Sequence, residues 1–439
     1  MLRKVILLLS LLGIVLMILF YFYPRTLRQN LQDIIDGASL GASLVIKPGI
    51  YRENVRIVNK NLSLIGYGVT LRSAKENVPV LLIKNSKVVL EGIRIEDAFG
   101  RCHSIESCAS GILIVNSEVH LNSVVIKGNA NVGILSNNST LRLRNCTIFR
   151  NSGDGIDIHN SYLEVINTNI SENGWHGLFA LNSKVTITNT FLKNNKANGI
   201  SSKNSTIDIR YTTLIENRYD GLGVIHADID LINAVITGNY ENGIFAYGSK
   251  LKIRYADISK NKINGVNIVS STLEALTTHV GKSQVGITSR DSMLKLTCVN
   301  VTKNNKHGIF VLRSILEIYD SRISWNEEDN IYVLDSYLKF VNSSLKGSKV
   351  SVRAENSDVQ ILESVIEGND YGIVIMGNSA LKLVTSQVIK NKYGIALHLK
   401  KCGFPWDYFH ETQRKLIIIK SEFTNNKIAL CPIERFIKE

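Results

Sequence analysis

Six side chains able to move protons or carry charge recur at fixed offsets from a glycine in this sequence: Asp154, Asp157, His159, His176, Lys203 and Asp220. Asp154, His176 and Asp220 directly precede a glycine, Asp157 stands two residues after one, and His159 and Lys203 stand four after. Two carboxylates at suitable separation can act as acid and base in glycoside hydrolysis. A basic residue beside a bound cation can instead abstract a proton for elimination. Aromatic residues share the pattern. Phe179, Phe245 and Phe310 lie two after glycine, Tyr332 lies two after an asparagine in the glycine place, and Trp175 and Tyr219 lie two before. Rings held on a strand face can stack on sugars. The plainer alternative is that Asp and Asn before Gly are ordinary turn residues and that an outward His or Lys is simply solvated.

These residues are positioned by a repeat. A glycine followed by Ile, Leu or Val recurs at 111, 133, 155, 177, 199, 221, 243, 265, 286 and 308; Asn330 and Ser351 take its place, and Gly372 and Gly394 resume it. From Gly111 to Gly394 is 283 residues in 13 steps, a mean of 21.8, which chance does not produce. Within the copy 155–176 the apolar residues alternate in three short runs, Ile156 and Ile158, Leu163 and Val165, then Ile170. Alternation in runs this short, rich in β-branched residues, indicates strands. Asn-Ser separates the first two runs, and a second asparagine column (Asn129, Asn151, Asn173, Asn195, Asn217, Asn239) closes the copies.

The expected element is therefore a coil of three strands. Asparagine tolerates the left-handed backbone of a tight corner, and stacked asparagines can donate to one neighbour and accept from the next. Glycine leads the first strand where a Cβ would crowd the corner. Adjacent coils lie about 4.8 Å apart, so outward positions read as columns, and the six chemical residues converge on one patch over four coils. A leucine-rich repeat has a similar period and its own asparagine ladder, but it has one strand per copy and a leucine-dominated convex side.

This pattern resembles the right-handed parallel β-helix of the pectin-lyase-like superfamily, over roughly residues 30 to 431. The resemblance implies an all-β solenoid of about 17 coils, and its enzymes place catalysis on an exposed strand face. The opening segment LQDIIDGASLGASLVIKPGIYRENVRI is similar to that superfamily's entry, an amphipathic helix followed by a Pro-Gly-x-Tyr-x-Glu coil. A capping helix is thus expected over residues 25–42, with Leu27, Leu31, Ile34 and Ile35 as its apolar stripe, then the β-helix over 43–431 and a tail over 432–439. Residues 99–110 and 401–414 interrupt the period and are expected as projecting loops. No paired-Asp or basic motif matches pectinases, pectate lyases or epimerases residue by residue. Many β-helix repeat proteins of this kind have no assigned activity.

Composition sets the remaining expectations. At 44% hydrophobic residues the chain is not disordered, and 5 prolines beside 31 glycines mean that proline does not make the turns. Val5 to Tyr23 is an apolar run of 19 residues, flanked by Arg3, Lys4, Arg25 and Arg28. At about 1.5 Å per residue it reaches across a bilayer. Its aromatic exit lacks the small-x-small site of a cleaved leader, so residues 1–24 are expected as a single-pass signal anchor with the β-helix extracytoplasmic. Cys102 and Cys108, and Cys402 and Cys431, are disulfide candidates suited to an oxidising compartment, with six reduced thiols as the alternative. Cys146 and Cys298 read as small core residues. The net charge of +13 suits an acidic polysaccharide. The expected function is an interaction or carbohydrate-binding role without chemistry, cofactor, metal or nucleic acid. The alternative is a polysaccharide lyase, hydrolase or epimerase, with a Ca ion only in the lyase case.

Overall fold

A computed structural model describes residues 30–104, 108–398, 400–404 and 415–432. Three parallel sheets of 17, 16 and 17 strands run the length of the chain. At about 4.8 Å per coil, some sixteen turns make a rod of roughly 80 Å. One coil is Ile156–His159, then Tyr162–Ile166, then Asn169–Ser171. We call the sheets to which these belong the glycine-led, middle and short-strand sheets. The register advances by one coil per strand, as in Ile134↔Ile156 and Ile156↔Leu178. Like side chains therefore stack on like. Ile156, Ile158, Leu163, Val165 and Ile170 are all fully buried, and the apolar core is continuous from Leu31 to Leu397.

The corners divide two tasks that the sequence suggested for asparagine as a single kind. Asn116, Asn138, Asn160, Asn182 and Asn204 take positive φ, near 50°, at the corner between the glycine-led and middle sheets. The serine after each faces inward. Ser139 Oγ accepts the Ser117 N–H at 3.0 Å and donates to the Asn137 carbonyl at 2.7 Å. At the next corner Thr168 and Thr190 do the same work. The second asparagine column lies buried at the third corner. There the Asn195 N–H and side-chain amide both donate to Asn217 Oδ1, at 3.2 and 3.0 Å, and Asn217 repeats this onto Asn239. These bonds satisfy backbone groups that the turning chain would otherwise bury unpaired. The leading glycines follow from the same crowding: a Cβ on Gly199 would sit 2.7 Å from the Gly221 carbonyl oxygen and 2.8 Å from Asn217 Nδ2.

The first coil is covered by a helix, α1 (Leu31–Gly37), shorter than the expected 25–42. It ends at Gly37 because Ala38 is already extended, and its beginning meets the edge of the described residues; Leu27 lies beyond that edge. Leu31 and Ile35 are buried beneath it, as expected, and Ile34 is half-buried. Both helix ends are held by the coil below. Glu53, the glutamate of the entry motif, accepts the N–H groups of Leu31 and Gln32 at 3.1 Å each. Lys60 Nζ donates to the carbonyls of Ile35 and Asp36. These contacts supply the anion and the cation that the two ends of a helix favour.

In the 99–110 interruption a disulfide joins Cys102 to Cys108, and a second disulfide links Cys402 to Cys431 beside the last coils. Most of the 401–414 interruption and nearly all of the 432–439 tail lie outside the described residues. So does the proposed anchor, residues 1–24. Among the described residues no helix is long and apolar enough to cross a membrane. Cys146 is buried, and burial pushes its thiol up to about 11. Cys298 is not the core residue expected: it is exposed at a positive-φ corner, because the coil register puts it where Asn167 and Asn189 sit in earlier copies.

Replacing Asn217 with alanine removes the acceptor for two buried donors. We expect a loss of about 3 kcal/mol in urea unfolding, and a much smaller loss for Asn204→Ala, whose side chain is exposed. Equal losses would place the stabilising role of asparagine in backbone conformation rather than in the buried ladder.

Candidate functional site

Outward residues of the glycine-led sheet form two clusters. In the first, strand pairing sets Asp157 beside Phe179 and His159 beside Leu181. His159 Nε2 lies 2.9 Å from Asp157 Oδ1. At 154, 176, 198 and 220 the side chain of the residue before the glycine accepts the N–H of the equivalent residue one coil on. Asp154 Oδ1 accepts from His176 N–H at 2.7 Å, His176 Nδ1 from Asn198 N–H at 3.1 Å, and Asn198 Oδ1 from Asp220 N–H at 3.0 Å. An Nδ1 that accepts carries no proton, so the His176 imidazole is neutral, with its N–H at Nε2. Trp175 packs edge-on against His176, whose ring is stacked with Phe179 at 6.1 Å between centroids.

Burial drives the electrostatics of this cluster. It pushes the Asp154 carboxyl up to about 7, the His176 N–H opposing and the neighbouring Asp157 charge adding. It lowers His176 to about 4. Asp157 is also raised by burial, with the His159 pair pulling the other way. The result is a carboxyl that changes protonation near neutrality beside an imidazole that stays neutral.

Asp154, Asp157, His159 and His176 are thus brought together, with Phe179 and Trp175 beside them. The expected six-residue patch is narrower than that. Lys203 is exposed two coils beyond His159, outside the cluster. Asp220 does not face outward. It is 8% exposed, and its Oδ1 accepts both the backbone N–H and the side-chain amide of Asn242, at 3.0 and 2.8 Å. Burial raises it to about 6. It stands three coils from Asp154 as one acceptor in the ladder. Tyr219 is exposed at the corner near it.

The second cluster lies further along the same columns and escaped the sequence reading, although two of its rings, Phe310 and Tyr332, did not. His307 and Asp329 continue the column before glycine, and Arg353 continues the column of Asp157. Asp329 is 1% exposed: Arg353 Nη2 and Nε reach it at 2.9 and 3.1 Å, and His307 Nδ1 lies 3.0 Å from it. Tyr332 donates to Glu355 Oε2 at 2.7 Å beneath the Arg353 guanidinium, which is 5.4 Å from its ring centre. Phe310 closes the group at 5.2 Å from Tyr332. Burial and then the Glu355 hydrogen bond push the Tyr332 phenol well above its ordinary value, so it is a protonated donor. The signal that could have found this cluster was the column arithmetic itself, carried past Asn264. Among the described residues no group of three or more His, Cys, Asp or Glu side chains is arranged to hold a metal ion.

The model of the right-handed β-helix region matches residues 49–207 and 274–404. The chain belongs to the right-handed β-helix family. No curated protein matches this β-helix sequence. Among solved structures, a double mutant of the periplasmic alginate epimerase AlgG is similar at 12% identity and a TM-score of 0.39, over 90% of this chain and 83% of its own. The A-module of the Azotobacter vinelandii mannuronan C-5 epimerase AlgE4 is similar at 12% identity and 0.24, over 91% of each chain. PfbA, a surface adhesin of Streptococcus pneumoniae, is similar at 12% and 0.31, over 90% of this chain and 86% of its own. Likeness at this level carries nothing about chemistry.

The pH dependence of this β-helix follows from linkage. Asp154 titrates higher folded than unfolded, so its ionisation costs stability at pH 8, and the cost fades as pH falls through about 7 toward the ordinary carboxylate range. His176 titrates lower folded than unfolded, so its contribution is lost as pH falls toward about 4. Asp154→Asn keeps an acceptor for the His176 N–H and removes the charge. In urea unfolding it should stabilise the protein at pH 8 and less at pH 5. A gain that is the same at both pH values would mean that Asp154 is not raised.

Proposed function

We propose that this chain is a carbohydrate-binding β-helix with an acidic polysaccharide as ligand, held at a membrane by its N-terminal segment and displayed on the extracytoplasmic side. The observation that carries the binding reading is the outward column of the glycine-led sheet. It sets Phe179, Phe245, Phe310 and Tyr332 in one register line. An aromatic ring on a straight parallel sheet offers a flat apolar face at intervals of whole coils, and a long sugar chain can lie along it. Trp175, 57% exposed, flanks the line. Two disulfides suit an oxidising compartment, and the net charge of +13 suits an acidic ligand.

The second cluster favours a second reading, a polysaccharide lyase, hydrolase or epimerase. His307 and Tyr332, with ring centres 5.9 Å apart, put an imidazole beside a protonated phenol on one strand face. An acid and a base so placed can deliver and remove protons on either side of a sugar carbon. Asp329 and Arg353 neutralise one another and hold His307 in place.

Incubation with a panel of acidic and neutral polysaccharides separates the readings. Binding without turnover, weakened about tenfold by Phe310→Ala and also by Trp175→Ala, supports the first; unchanged binding in both variants removes it. Chain shortening, unsaturated ends or altered uronate stereochemistry establishes the second. Loss of that turnover by about a hundredfold or more in Tyr332→Phe locates the chemistry at the second cluster, whereas the same loss in Asp157→Ala locates it at the first.

A further inference from the structure

The corner between the short-strand and glycine-led sheets carries a run of cations that the coil itself does not call for. Ser259, Gly281 and Thr302 are register partners in three successive coils, and each is followed by a lysine: Lys260, Lys282 and Lys303. All three take positive φ, at 58°, 56° and 58°. Positive φ is costly for a long side chain and free for glycine. Elsewhere in the column the place is taken by Asn194, Gly238, Gly347 and Gly368, and also by Arg150, Glu172, Glu216, Trp325 and Lys390. Arg150 pairs with Glu172 one coil on at 2.7 Å. The three lysines instead stack like upon like, about one coil apart, where their charges repel. They are exposed, and among the described residues none makes an ion pair.

Lys260 also lines a groove with Lys196, Arg218 and Lys262, where Tyr240 stands 57% exposed among them and Glu216 is the one carboxylate. Mutual repulsion disfavours three lysines stacked in this way, and among the described residues no ion pair offsets it. A local conflict of that sort marks a site shaped by something outside the fold.

We propose that this ridge binds a linear anionic polysaccharide lying along the helix axis, with one carboxylate or sulfate per coil. The coil spacing is close to the length of one sugar ring in an extended chain, so successive lysines meet successive acidic sugars in register. A groove with a single ring, Tyr240, does not offer the series of stacking platforms used for single-stranded nucleic acid. The ridge lies at the corner, away from the aromatic line of the glycine-led sheet. It is a separate site and does not depend on the reading given for that face.

The test is binding of the full-length chain to polygalacturonate across a salt series, beside a neutral glucan, a single-stranded thymidine oligonucleotide and vesicles containing anionic lipid. The variant is Lys260→Asn/Lys282→Asn/Lys303→Asn, in which asparagine suits the positive-φ corner and keeps the coil intact. We expect polygalacturonate affinity to fall about tenfold and the salt dependence to flatten, with neutral glucan binding unchanged and Phe310→Ala leaving this salt-dependent component in place. Wild-type affinity in the triple variant overturns the proposal. Oligonucleotide or vesicle binding that is tighter than polygalacturonate binding and lost in the same variant overturns it too, in favour of that partner. If Phe310→Ala abolishes binding and the lysine variant does not, the ridge fails and the aromatic face stands.

Discussion

Columns of buried polar groups at the corners of this solenoid are bonded from one turn to the next, and the rest of the structure depends on that register. Asn195 donates twice to Asn217, Ser117 donates to Ser139, and Thr168 donates to Thr190. A slip of one residue would break all these columns at once and turn the apolar residues outward. The same constraint explains the shortage of proline. The corner residues Asn138 and Asn160 use their own N–H groups to reach the carbonyls of His159 and Leu181 on the next coil. Proline has no such donor to give.

The repeat was legible because its causes are local. Glycine must lead the strand, asparagine must take the left-handed corner, and β-branched residues must alternate, so each leaves a mark at every copy. What was not legible depended on distinctions within a column. Asp154 and Asp220 stand at the same offset and do the same thing for the backbone, yet burial and the Asn242 amide take Asp220 out of the surface. Nothing in the letter at position 220 separates it from that at 154. Cys298 was misplaced for the opposite reason: its neighbours look like strand, and only an exact count of the coil puts it on a corner. The His307–Arg353 group went unseen because its members are spread over coils in which asparagine and serine stand where glycine is expected, which hid the continuity of the columns.

The column before glycine shows how one structural demand constrains chemistry. At 154, 176, 198 and 220 a carboxylate, an imidazole or an amide accepts the N–H of the next coil. At 176 the accepting Nδ1 fixes the tautomer and leaves the N–H on Nε2. At 154 and 220 burial raises the carboxyl, to about 7 and about 6. Proton-active groups can therefore arise at this corner as substitutions that leave the ladder whole.

Departures from the 22-residue step are unevenly distributed. The loop closed by Cys102 and Cys108 emerges between a short strand and the glycine-led strand that follows it, and the shortened coils lose their residue at that same corner, between Ser283 and Val285 and again between Ser348 and Val350. One edge of the prism tolerates changes of length; the corner after the glycine-led strand also does, with one residue gained between Met376 and Ala380. Segments grafted along the first edge would overhang the face that carries both clusters while the core beneath kept its pitch. A rod of this kind can acquire new walls around its working surface without being redesigned.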